Sequence, residues 1–182
     1  MKKTTVAALA LSLLLPLAAH AETYRVDLIV FVDKNAAGES GRKPVLPDMK
    51  RALELSDTVG LRSAGITLLA DERFALNDAW ARLRNSKRYQ PVIRLAWIQS
   101  NPPSDKGPAL HLTWGTGSDD GLSPVDGTVS LLAGHYLHLD SNLLYTQSGV
   151  SYRLKENRLM RRDELHHLDS PKLGILARVI KA

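Results

Sequence analysis

The sequence contains no cysteine in its 182 residues. No disulfide can therefore support the fold, and thiolate metal sites, a cysteine nucleophile and a lipid-modified cysteine are excluded. A chain without disulfides gains its stability from buried apolar surface. The composition is compatible with this, because 44% of the residues are hydrophobic.

Aromatic residues are scarce and the charge imbalance is small. Phe, Trp and Tyr make up 5% of the chain, and the formal net charge is +5. So small a charge disfavours nucleic acid as a partner. Exposed aromatic rings can stack on sugar rings, although large aromatic side chains are more often part of the core. Trp97 and Tyr136 are the aromatic candidates for a binding role.

The common catalytic motifs are absent. The chain has no H-E-x-x-H zinc motif, no G-x-S-x-G elbow, no P-loop and no G-x-G-x-x-G sequence. The spacing therefore nominates no nucleophile, and no cofactor is expected. A hydrolase with an irregular site built on His138 and Asp140 stays open as an alternative, because triads are defined by geometry and not by sequence order.

The first 21 residues have the pattern of a cleavable secretory signal. Lys2 and Lys3 precede an uncharged apolar run, and Ala19 and Ala21 are the small residues that a signal peptidase reads. Cleavage between Ala21 and Glu22 would leave residues 22–182 as a single domain with 22 basic and 19 acidic residues. The run is too short to span a bilayer, so the processed protein is expected to be exported from the cytoplasm with no membrane span.

Apolar periodicity predicts an α+β fold, in which a mostly antiparallel β-sheet carries one main helix packed on one face. The helix is predicted over Asp78 to Lys87, with Asn77 as its N-cap. A tight turn is expected at Asp140 to Asn142. The predicted strands are Tyr24 to Val32, Val92 to Gln99, Leu110 to Trp114, Thr128 to Asp140, Leu143 to Thr146, Ser151 to Leu168 and Leu173 to Lys181.

Two groups of polar residues are candidates for chemistry. In the strand predicted over Thr128 to Asp140, alternation places Tyr136, His138 and Asp140 on one face, but His138 and Asp140 alone are too few to hold zinc. Further along, basic residues cluster from 155 to 162, and Arg side chains offer planar forks of donors that match carboxylates. The same run can equally be a solvated face or an internal ion-pair network. The cluster and its polar neighbours are Lys155, Arg158, Arg161, Arg162, Glu164 and His166.

The segment Tyr152 to Lys181 resembles the C-terminal signature of the CsiV family of periplasmic peptidoglycan-binding proteins. That signature is a strand, then R-x-M-R-x-x-E-L-H-Y-x-D-H-P, then a closing strand that opens with Gly. The chain departs from it at His167, where Tyr is usual, and at Ser170, where His is usual. Matching residues are Arg158, Met160, Arg161, Glu164, Leu165, His166, Leu168, Asp169, Pro171 and Gly174. The opening strand, Tyr89 to Gln99 and Gly127 to Asp140 are similar to the family as well.

The resemblance implies a non-catalytic periplasmic protein that binds peptidoglycan, supports wall synthesis and cell shape, and assists the activators of penicillin-binding synthases. The alternative is an envelope adaptor that binds another protein and associates with the wall indirectly. The predicted peptidoglycan contacts are Arg158, Arg161, Arg162, Glu164, His166, His138, Tyr136 and Trp97.

Overall fold

The computed structural model describes residues 22–36, 47–116 and 123–182. The predicted signal, with its cleavage residue Ala21, lies outside these ranges. In the described ranges, no helix is both long and apolar enough to cross a membrane.

Ten strands and two short α-helices make up the described chain. The first sheet has the strand order β3-β4-β1-β10-β9 and the second has β2-β5-β6-β7-β8. The elements are β1 (Thr23–Asp33), β2 (Ala52–Leu53), α1 (Thr58–Ser63), β3 (Ile66–Leu68), α2 (Asn77–Arg84), β4 (Tyr89–Ser100), β5 (Ala109–Trp114), β6 (Val125–Ala133), β7 (Leu137–Gln147), β8 (Val150–Met160), β9 (Leu165–Asp169) and β10 (Leu173–Lys181).

The two sheets pack face to face around one apolar core. Side chains alternate across a strand, so every second residue of β1, from Tyr24 to Val32, points into this core. The second sheet contributes Leu131, Leu139 and Leu143 to the same cluster. All pairings between these strands are antiparallel except that of β2 with β5. The α+β prediction is confirmed, but the single expected sheet is a pair of sheets.

Helix α2 covers part of the outer face of the first sheet. Ile29 of β1 and Ala96 of β4 point away from the main core and form a second apolar cluster with Phe74 and Leu76. Trp80 and Leu83 of α2 pack against that cluster. The predicted helix is thus confirmed on one sheet face. Its N-cap prediction is wrong, because Leu76 occupies the cap and the Asn77 side chain donates to the carbonyl of Phe74.

Two segments predicted as single strands each form two strands in the structure. The run Thr128 to Asp140 is divided by a bend at residues 134–136 into β6 and β7. The predicted turn at Asp140 to Asn142 lies instead inside β7, where Ser141 is fully buried. The run Ser151 to Leu168 is divided between β8 of the second sheet and β9 of the first.

Candidate functional site

The turn between β8 and β9 joins the two sheets and carries three of the eight predicted binding residues, Arg161, Arg162 and Glu164. Asp163 adopts a left-handed backbone conformation, with φ of 65°, which Asp tolerates better than most residues. Its N–H donates to the carbonyl of Val179 on β10 at 2.9 Å. The imidazole Nε2 of His166 accepts from the N–H of Arg161 at 2.9 Å. His166 therefore holds the shape of the turn.

Arg161 and Arg162 are the most open of the predicted cations. Their side chains are 73% and 51% exposed, and each has a carboxylate at 4.0 Å, from Glu164 and Glu22 respectively. Ion pairs as exposed as these contribute little to stability. The Arg162 guanidinium also lies 5.8 Å from the ring centre of Tyr24. Both arginines, and Glu164 beside them, remain accessible to a ligand.

Arg158 has a different environment from its two neighbours. It lies on the inward-facing side of β8, where its Nη2 pairs with Glu156 at 2.6 Å and reaches the carbonyl of His167 at 3.2 Å. Its Nε is buried without a hydrogen-bond partner in the described chain. These contacts connect the edge strands of the two sheets. The Arg158 side chain is therefore engaged in internal contacts, as the structural alternative in the sequence analysis allowed.

Of the eight predicted peptidoglycan contacts, Trp97 is the one that is fully buried. It is 1% exposed and sits in the main core, where its indole N–H donates to the Gln99 side chain at 3.3 Å. A ring in that position cannot touch a polymer outside the protein. Tyr136, by contrast, is well exposed in the bend between β6 and β7, edge-on to His135.

His138 lies on the outer face of the second sheet, and its Nδ1 is 2.6 Å from the side-chain oxygen of Asn157. It shares this face with Asp140, as alternation predicted, whereas Tyr136 has left the strand. No group of three His, Asp or Glu side chains in the described ranges is placed to hold a metal ion.

Asn157, the partner of His138, also lines a groove of about 370 Å³ on the outer face of the second sheet. We call this the polar groove. Its floor is a set of hydroxyl, amide and charged side chains from three neighbouring strands. They are Thr128 and Ser130 from β6, Asp140 and Asn142 from β7, and Lys155 and Asn157 from β8. Register explains the set, because Ser130, Asp140 and Asn157 are directly opposite one another, as are Thr128, Asn142 and Lys155.

Charged side chains from loops form the walls of the polar groove. Asp48 and Arg51 lie on the side of β2, and Asp105 and Lys106 lie on the loop before β5. Cations and carboxylates are thus mixed around the groove. Within each of β6, β7 and β8, the alternation of polar and apolar residues places the polar side chains on one face. The sequence does not show, however, which strands are neighbours, so it could not reveal the groove.

The side chain of His111 on β5 links the segment after β2, at one side of the polar groove, to β6. Its Nδ1 lies 2.5 Å from Glu54, just after β2, and its Nε2 lies 3.0 Å from Asp126 on β6. Burial lowers the pKa of His111, but the hydrogen bonds and charges of Glu54 and Asp126 outweigh that effect and leave the pKa raised. A protonated ring can donate to both carboxylates at once.

Comparison with known proteins gives one match. The model of a family described as "Peptidoglycan-binding protein, CsiV" matches residues 3–182, nearly the whole chain. No curated protein and no solved structure is significantly similar to the chain.

Proposed function

The chain belongs to the CsiV family of peptidoglycan-binding proteins, and on that premise we propose that it is a non-catalytic accessory protein of the periplasm. In this proposal it binds the wall polymer and thereby supports wall synthesis and cell shape. The contacts are made by the polar groove and by the accessible side chains of the β8 to β9 turn.

The polar groove is the observation that supports this proposal best. Its floor offers hydroxyl, amide, carboxylate and ammonium groups side by side over three strands. Glycans present hydroxyl and amide groups that need donors and acceptors at short spacing, and an antiparallel sheet sets its side chains about 5 Å apart between strands. The groove is open to solvent, so a long polymer can lie across it.

Charge around the groove suits a polymer that carries peptide carboxylates. Lys155, Arg51 and Lys106 supply cations at its floor and walls, and Arg161 and Arg162 supply two more on the turn that follows β8. The acidic residues nearby reduce the net positive charge of the surface, so it should not bind anions without selectivity. Binding should therefore depend on hydrogen bonds as well as on charge, and salt should weaken it without abolishing it.

Export supports the assignment to the periplasm. In this proposal, the signal pattern over residues 1–21 directs the chain across the inner membrane and into the periplasm, which contains the wall polymer. The absence of cysteine is compatible with that oxidising compartment, since no thiol is at risk there.

Protein partners are part of the proposal, and the activators of penicillin-binding synthases are the partners we expect. Two exposed large apolar side chains, Tyr136 and Leu159, lie at the end of the second sheet where β7 begins and β8 ends. Leu165 is exposed at the same end of the sandwich, on the outer face of the first sheet. Exposed apolar side chains that lie near one another are typical of protein contact sites. This end includes the β8 to β9 turn, so a partner and the polymer can meet there.

Sedimentation with purified wall sacculi tests the proposal. We expect the processed protein to sediment with sacculi, and a variant with Lys155→Ala and Asn157→Ala to lose most of its bound fraction. Arg82→Ala serves as the matched control, because Arg82 is exposed on α2, over the opposite sheet. Absence of sedimentation at low salt would refute the proposal. Soluble muropeptides released by the pure protein would refute the non-catalytic assignment.

A further inference from the structure

A second cavity lies on the opposite side of the sandwich from the polar groove. It has a volume of about 350 Å³ and opens on the outer face of the first sheet, at the end where β1 stops and β10 begins. We call it the aromatic cleft. Its rings are Phe31, Tyr89 and His167, and its polar groups come from Asp33, Arg88 and Asp169.

The floor of the aromatic cleft is built around one glycine. Phe31 is opposite Gly174 in the pairing of β1 with β10, and its ring lies where a side chain at 174 would be. Tyr89 meets the Phe31 ring edge-on at 5.3 Å, and His167 stacks on it at 5.7 Å. Strands β4, β1 and β9 thus each place one ring around an apolar floor.

One end of the aromatic cleft holds a fixed cation. Arg88 donates from Nε to Asp33 at 2.8 Å, and its Nη2 lies 2.6 Å from the same carboxylate oxygen. The other oxygen of Asp33 accepts the N–H groups of Asn35 and Ala36. The hydrogen bond from Arg88 holds the pKa of Asp33 below its usual value, despite burial. Asp33 is thus fully occupied, and it serves to position Arg88.

Arg88 keeps donors to spare. Its guanidinium has five N–H groups, and those directed at Asp33 leave others with no partner in the described chain. The guanidinium also lies 5.1 Å from the ring centre of Tyr89, so its orientation is restrained from two directions. An Arg held in this way is prepared to bind a carboxylate with little further loss of side-chain entropy.

The opposite end of the aromatic cleft is acidic. Asp169 is exposed on β9, and its carboxylate has no hydrogen bond or ion pair with any side chain in the described ranges. Strands β1 and β10 separate β9 from β4, which Arg88 immediately precedes, so the Asp169 carboxylate and the Arg88 guanidinium are on opposite sides of the cleft. A cation at one end and an anion at the other do not match a simple anion. They match a ligand that carries both charges.

We propose that the aromatic cleft binds an amphoteric diamino acid of the wall peptide, with the carboxylate at one end of its aliphatic chain on Arg88, the ammonium at the other end on Asp169 and the chain itself over the rings. The diamino acid through which wall peptides are cross-linked has this chemistry. This identification of the ligand rests on the proposed function, whereas the complementarity of the cleft does not. The protein then has one surface for the extended polymer and a separate site for a stem peptide.

The test uses the processed protein and a synthetic tripeptide, Ala-γ-Glu-diaminopimelate, followed by NMR of backbone amides. We expect shifts at residues 31–35, 88–90 and 167–174, and not at the polar groove. Two matched peptides, one with the ammonium of the distal stereocentre acetylated and one with the carboxylate of the proximal stereocentre amidated, should each bind about tenfold more weakly, since each lacks one charge-assisted contact.

Two conservative variants extend the test to the protein. Arg88→Lys keeps a cation for Asp33 but loses the planar fork, and Asp169→Asn removes one charge from an exposed position. Each should weaken tripeptide binding about tenfold. Arg82→Lys and Asp78→Asn, both exposed on α2, are the matched controls outside the cleft and the polar groove and should bind as the parent does. Melting temperatures of all four variants should stay close to that of the parent.

The outcomes separate this inference from the proposed function. If the protein sediments with sacculi but no tripeptide binds, or if both cleft variants bind it as the parent does, the inference is overturned and the proposed function stands. If the tripeptide binds in the cleft but sacculi are ignored, the cleft is supported and the polymer-binding proposal falls.

Discussion

The outer faces of the two sheets are built on different principles. On the first sheet the outer face of β1 is nearly as buried as its inner face, because α2 and the preceding segment pack over it. On the second sheet, the exposed residues Lys155, Asn157 and Leu159 of β8 alternate with buried or half-buried ones, and this outer face is open to solvent. A covered face can hold fixed charges and shaped cavities, whereas an open face offers rows of groups to an extended ligand.

The substitution of Asp by Asn should therefore lower stability much more on the covered face than on the open one. Asp27, on the outer face of β1, is 1% exposed, accepts two hydrogen bonds from Arg25 and also accepts the N–H of Ala75 at 2.8 Å. Changing Asp27 to Asn leaves the half-buried Arg25 without its counter-ion and puts an amide in a site built for a carboxylate. We expect this to lower the free energy of unfolding by about 3 kcal/mol. Urea denaturation measures the change.

Asp140→Asn on the open face is the matched control for that experiment. Asp140 is exposed, so its replacement should change the free energy of unfolding by less than about 0.5 kcal/mol. Equal losses at the two positions would show that the faces do not differ as described.

The pH dependence of stability sharpens the comparison at the edge of the open face. The pKa of His111 is raised above its ordinary value of 6.5, so protonated His111 is favoured by folding. Its contribution is complete well below pH 6.5 and is lost as the pH rises through the raised folded pKa. With Glu54 largely exposed, we expect a loss of at most about 1 kcal/mol.

Urea denaturation at pH 5.5 and pH 8.5 measures that loss, with His111→Gln as the comparison. The variant keeps a hydrogen-bonding side chain but cannot be protonated, so its stability should vary less between the two pH values. A parental protein whose stability rises over this interval, relative to the variant, would contradict the expected sign.

The smallest effect on stability is expected at the β8 to β9 turn. Replacing Arg161 and Arg162 by Ala removes two long, exposed ion pairs, and the free energy of unfolding should change by less than about 0.5 kcal/mol. The fraction bound to sacculi should nevertheless fall two- to threefold at low salt, and the difference should disappear at high salt because screening removes the same attraction. Unchanged binding at low salt would remove this turn from the proposed contact surface.

Some elements were predictable because the local pattern and the final environment agree. The strand predicted over Leu173 to Lys181 is β10 to the residue, since its alternating apolar residues face the core and Pro171 precedes it. The hairpin of β6 and β7 was not predictable in the same way. Asp, Ser and Asn are typical turn residues, yet Asp140 to Asn142 lie mid-strand because Ser141 packs between two sheets and its neighbours face solvent.

The candidate site shows the same limit. Sequence reasoning found Arg161, Arg162, His138 and Tyr136, all of which are accessible or partly so. It also nominated Trp97, which is buried, and it missed Arg88 and Asp33, which are 55 residues apart in the chain and in contact in the fold. An isolated Arg has no signal in a sequence, because its partner is known only once the strands are paired.

Family membership, the strand-rich character and the absence of any thiol chemistry are properties of the sequence by itself, since each depends on residue identity and local order. The division into two sheets, the neighbours that line the polar groove and the pairing of Arg88 with Asp33 were decided only by the tertiary structure. The physical reason is that strand order is set by the burial of whole faces, and no single strand contains the information about which partner will cover it.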